Sequence, residues 1–95
     1  MTERETILFA AVINNLGIKN QLAVATEELL ELGKELTKGM RDKVNRMKVT
    51  EELADVLICV DQIKMMYGIR DKEIKIWREF KVKRLSYMID RGDYK

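Results

Sequence analysis

Not one proline interrupts the 95 residues of this chain, and that constrains its fold more than any motif does. Proline breaks helices more reliably than any other residue, so its absence leaves long periodic segments free to run as helices. Three of the five glycines, Gly17, Gly39 and Gly68, stand where an apolar helical periodicity stops. They divide the chain into four amphipathic segments and predict an all-α fold. Hydrophobic residues make up 46% and charged residues 36%, the balance of a globular chain. The length suits a single domain over residues 1–95, with limited burial per chain.

The first segment, from about Glu3 to Leu16, carries Ile7, Leu8, Ala11, Val12 and Leu16 largely on one side. Thr2 is placed to cap it and Gly17 to end it. It contains no chemistry of its own, so packing or oligomerisation is its expected role. The second helix is expected from about Asn20, a good N-cap, to Lys38, with Gly39 as its stop. Gly33 lies inside it at a cost of about 1 kcal/mol against alanine, which a closely approaching helix would explain. Residues 40–49 form a basic connector with Arg41, Lys43, Arg46 and Lys48. Without glycine or proline it is expected to be partly helical; a solvated connector is its plain reading, and a mobile flap over phosphates the functional one. Thr50 is expected to cap a third helix that runs to Tyr67 and stops at Gly68. The fourth spans about Asp71 to Asp90.

The chemistry concentrates in two short acidic stretches set in apolar sequence. Glu28 and Glu31 are three residues apart, as are Glu52 and Asp55, a spacing that puts each pair on one helix face. At about 100° per residue, Leu22, Ala25, Leu29, Leu32 and Leu36 form an apolar stripe with Gln21, Glu28, Glu31 and Glu35 along its edge. The third helix repeats the plan, with Leu53, Val56, Val60, Ile63 and Tyr67 apolar and Glu52, Asp55, Cys59 and Met66 beside them. Packed antiparallel through their apolar stripes, the two helices would bring four carboxylates face to face. Like charges so placed repel unless a cation sits between them. A solvated helix face explains any one of these pairs equally well, and the helix dipole alone favours Glu51 and Glu52 in a first turn. Recurrence of the pattern in two helices, in the same position relative to the core, is what argues for a metal.

What is missing narrows the chemistry further. The chain has no histidine, which removes imidazole as base or ligand, Cys–His and Ser–His nucleophile pairs, and the Glu-x-x-His signature of di-iron bundles. A carboxylate-only site suits a hard ion such as Mg2+, with Mn2+ a possible substitute. The single Cys59 supports no disulfide framework. A net charge of +2 is too small to argue for nucleic acid by itself, and with no helix-turn-helix pattern standing out a nucleic-acid binder ranks last among the readings. No apolar run is long enough to span a membrane and no signal peptide is evident, so the cytoplasm is the expected location.

On the fourth helix, Trp77, Lys81, Arg84, Met88 and Arg91 follow at spacings of four, three, four and three. The cations of this stripe either snorkel to solvent or face the acidic site and bind phosphate oxygens. A carboxylate-held metal with nearby cations is an arrangement suited to phosphoryl transfer.

These residues together resemble the MazG-like nucleoside triphosphate pyrophosphohydrolases of the all-α NTP pyrophosphatase superfamily. The resemblance lies in Glu28-Leu29-Leu30-Glu31 followed about twenty residues later by Glu52-Leu53-Ala54-Asp55. It extends to Gln21 ahead of the first acids, to the run into Asp61 and Gln62, and to Trp77, Lys81, Arg84 and Leu85, which is similar to the ending of small phage-type members. It implies a four-helix subunit in a dimer or tetramer with a helical bundle across the interface. It also implies Mg2+ held by Glu28, Glu31, Glu52 and Asp55, and cleavage of the α–β bond of a nucleoside triphosphate. Glu27 and Glu28 would orient or deprotonate the attacking water, Lys81 and Arg84 would hold the phosphates, and Gln21 would contact base or sugar. The chain lacks the second helical repeat of the larger dUTPases in the superfamily, so specificity for dUTP does not carry over. The alternative is a catalytically inactive oligomerisation or regulatory module that keeps the fold. Ile7, Leu8, Ile58, Met65, Ile76 and Ile89 are the apolar side chains expected between subunits.

Overall fold

The computed structural model describes residues 1–92, which form four helices: α1 Glu3–Leu16, α2 Ile18–Met40, α3 Arg46–Tyr67 and α4 Asp71–Arg91. There is no strand among the described residues. The all-α expectation holds, and the ends of α1 and α4 fall within a residue of those expected.

α1 opens on a reciprocal cap. The Thr2 N–H donates to Glu5 Oε1 at 2.7 Å, and the Glu5 N–H donates to Thr2 Oγ1 at 3.1 Å. Gly17 ends it with φ of 84°, a conformation that side-chain-bearing residues rarely adopt. The same glycine begins α2, so the chain bends by 111° with no connector. This moves the start of α2 ahead of Asn20. Asn20 is not the cap; its side-chain amide donates to Leu16 O at 2.7 Å from within the first turn. Gly39 likewise stays helical, and the turn follows at Arg41 and Asp42, the latter at φ of 60°.

The start of α3 differs from expectation in a way that matters for the site. Asn45 caps it, its side chain accepting the Lys48 N–H at 3.0 Å. Thr50, expected as the cap, lies inside the helix and donates its hydroxyl to Arg46 O at 2.8 Å. Asparagine and threonine both cap well, and the earlier candidate wins. The connector shrinks to residues 41–45, and Lys48 becomes a first-turn residue one turn ahead of Glu52.

α2 and α3 pack as an antiparallel pair with α1 against both. The seam between them is shifted from the expected leucine stripe toward its acidic edge, keeping Ala25 of that stripe at its centre. Gln21, Ala25 and Glu35 of α2 and Glu52, Cys59 and Gln62 of α3 are all buried, Glu52 to 4% exposure. Leu29 and Leu53, centres of the expected apolar contact, are 50% and 45% exposed. Charged residues inside and leucines outside reverse the usual arrangement of a self-sufficient subunit.

α4 packs against none of the other helices. Its tie to α3 is the ion pair from Lys64 Nζ to Asp71 Oδ1 at 2.5 Å, with Asp61 Oδ1 at 3.4 Å from the same ammonium. Trp77, Phe80, Leu85 and Ile89 are all exposed. The radius of gyration of 16.5 Å exceeds the roughly 12 Å of a compact chain of this length. Gly33 also lies in the open, with nothing within 4 Å of where a Cβ would stand, so no close helix approach within the chain accounts for it. No single helix among the described residues is long and apolar enough to cross a membrane.

Candidate metal centre

The seam brings three acids together. Glu28, Glu52 and Asp55 each offer a carboxylate oxygen, and these oxygens lie within 4.8 Å of one another. The register that does this is set by two pairs across the helices. Gln21 Nε2 donates to Gln62 Oε1 at one end, and the Glu28 and Asp55 carboxylates lie within 4.8 Å of one another further along. Gln21 to Glu28 and Asp55 to Gln62 are each seven residues, two helical turns, so one antiparallel register satisfies both pairs. Ala25 and Cys59, both small and buried, let the helices approach between them.

The electrostatics are those of crowded anions. Removal from water pushes the Glu28 carboxyl above its ordinary value of 4.5, and Asp55, Glu52 and Glu31 add to the push. Glu28 therefore keeps its proton to higher pH than an isolated carboxyl does. Cys59, one turn beyond Asp55, is raised first by burial and then by Glu28 and Asp55. It remains a neutral thiol.

Glu52 is divided between two environments. Its Oε1 pairs with Lys48 Nζ at 3.1 Å, while its Oε2 is buried with no hydrogen-bond partner. Leaving a buried acceptor unsatisfied costs about 1–3 kcal/mol, and more for a charged group. A buried, unpartnered carboxylate oxygen on a residue clustered with two further carboxyls is complementary to a cation. An all-oxygen donor set fits a hard divalent ion.

Two of the other acids named from sequence lie outside this group. Glu31 and Glu27 are exposed on α2. Three residues on from Glu28, Glu31 is rotated about 60° away from it, enough to leave the seam. Gln21 lies in the seam on Gln62, its own Oε1 buried without a partner. Lys81 and Arg84 stand on α4, which packs against neither α2 nor α3. Lys81 shares an open groove with Ile69, Trp77 and Leu85, and Arg84 another with Phe80 and Tyr87. Within one chain the cations and the acids do not meet.

Lys48 is the neighbour of the acidic cluster that sequence reasoning missed, through its ion pair with Glu52. Its signal was present as Lys48 to Glu52 at helical i, i+4 spacing. Placing the helix cap at Thr50 hid it by assigning Lys48 to a connector. No protein-family model matches this chain, and no curated protein or solved structure matches it either.

Proposed function

We propose that the chain is a magnesium-dependent nucleoside triphosphate pyrophosphohydrolase of MazG-like type, releasing a nucleoside monophosphate and pyrophosphate. The observation that carries this reading is the buried, unpartnered Oε2 of Glu52, a residue clustered with the carboxylates of Glu28 and Asp55. Glu28, Glu52 and Asp55 would hold the ion, with Glu31 at the outer edge. When bound, the ion neutralises phosphate charge and favours attack by water. Water adds to the α-phosphorus, the bond to the bridging oxygen breaks, and pyrophosphate leaves with the electron pair. Glu27 and Glu28 are the carboxylates assigned to orient that water and accept its proton, and Gln21 is assigned to the nucleoside.

The phosphate-binding roles of Lys81 and Arg84 require a second copy of the chain. The exposed apolar faces of α2, α3 and α4 support a homo-oligomer, a dimer or a tetramer, in which α4 lies against a neighbour. Ile7, Leu8, Ile58, Ile76 and Ile89 are exposed as such an interface requires, while Met65 is half-buried within the chain. The distance of α4 from the acids favours one other reading, an inactive oligomerisation or regulatory module. Release of pyrophosphate from a mixed panel of nucleoside triphosphates, with and without Mg2+, separates the two. Magnesium-dependent release supports hydrolysis, and none from a folded oligomer supports the module.

A further inference from the structure

We propose that Lys48 determines which divalent cation the centre accepts, by holding Glu52 as a one-oxygen ligand. The inference rests on the metal reading of Glu28, Glu52 and Asp55. Asn45 starts α3 early enough to put Lys48 one turn before Glu52, with Nζ 3.1 Å from Oε1. The Glu52 side chain is only 5% exposed, so its carboxylate has no free route to solvent. With Oε1 occupied by the ammonium, Oε2 is the buried oxygen left without a partner, on a residue whose carboxylate lies within 4.8 Å of those of Glu28 and Asp55. Lys48 is also 3.6 Å from the exposed Glu51, a second anion that keeps the ammonium on this side of the helix.

The consequence follows from ion size. Mg2+ requires near-octahedral geometry at about 2.0–2.1 Å and takes few carboxylate oxygens, keeping water for the rest. Ca2+ accepts six to eight oxygens at about 2.3–2.6 Å and readily takes both oxygens of one carboxylate. An ammonium on Oε1 leaves the magnesium mode intact and blocks the two-oxygen mode. Lys48 is thus a positioning residue that discriminates against Ca2+.

The charge of Lys48 and its position can be told apart. Removing a positive charge beside the site strengthens attraction for both divalent ions alike, and that effect cancels in the ratio of their affinities. Freeing Oε1 favours only the larger ion and does not cancel. The experiment is titration of the full-length protein with Mg2+ alone and with Ca2+ alone, followed by calorimetry and by thermal stability. Wild type should prefer Mg2+. Lys48→Met should shift the ratio toward Ca2+ by about tenfold, the lower end of what partners of metal ligands contribute, and Lys48→Arg should keep the wild-type ratio. Lys48→Ala provides a second truncation should the methionine variant fold poorly. An unchanged ratio in the truncations, or the same shift in Lys48→Arg, overturns the role of Lys48 and leaves the metal reading standing. Binding of neither ion by wild type overturns both.

Discussion

Glu28 and Asp55 face one another across the α2–α3 seam with carboxylate oxygens within 4.8 Å, and burial together with the Asp55 charge makes Glu28 hold its proton to higher pH than an isolated carboxyl. That proton and a divalent cation compete for the same oxygens, so the pair links folding, pH and metal binding. Most of what the centre can do is testable through this one relationship.

The first test is pH. The unfolded chain releases the Glu28 proton near the ordinary 4.5, and the native chain releases it at higher pH. Between those values the native state holds more protons, so this group's contribution to stability falls as pH rises through the window. Magnesium affinity should do the opposite and increase across it. Urea unfolding of the ion-free protein should show a downward contribution with rising pH that disappears in Glu28→Gln. An identical pH profile in that variant would show that the fold does not raise the Glu28 carboxyl.

Gln21 and Gln62 provide a packing test. Gln21→Ala strips Gln62 Oε1 of its donor and should cost about 1–3 kcal/mol. Replacing both with leucine leaves neither amide unsatisfied and should recover most of that loss. A double-mutant cycle in urea measures the coupling, and additive losses would show that the pair does not set the register.

Gly33→Ala should stabilise the protein by about 0.5–1 kcal/mol, because the position is helical and open. Destabilisation, read from the urea midpoint, would instead place a neighbouring subunit against this face.

The fourth helix should be a subunit contact. A 21-residue helix with no partner and an exposed Trp77 gains little stability alone. Light scattering at micromolar concentration should report an oligomer, and Trp77→Glu should shift it toward monomer. A monomeric wild type with full activity would contradict the assembly.

Helix number and most helix ends were legible because caps and glycines act locally. Thr2 with Glu5 and the left-handed Gly68 are readable without knowing the fold. The face of α2 turned inward was not. The Gln21–Glu35 stripe and the Leu22–Leu36 stripe are neighbours on one helix surface, and period alone favours burying the leucines. Which stripe faces α3 depends on pairings such as Gln21 with Gln62, a tertiary fact. Sequence thus found Glu28, Glu52 and Asp55 correctly as neighbours, for a packing that was not the one adopted. It missed the Lys48–Glu52 pair because Asn45 and Thr50 are both sound caps.

The central claim is that Glu28, Glu52 and Asp55 hold a cation, and Asp55→Asn tests it most directly. The substitution removes a ligand charge and also relieves repulsion, so the ion-free variant should fold as well as wild type or slightly better. Magnesium should stabilise wild type by about 1.4 kcal/mol for each tenfold excess over its dissociation constant, and should leave the variant unmoved. Hydrolysis, where wild type shows it, should fall by orders of magnitude with it. Thermal melts of both proteins across a magnesium series give the answer. Loss of the magnesium response in Asp55→Asn is the result this account predicts, and an equal response in both proteins would contradict it.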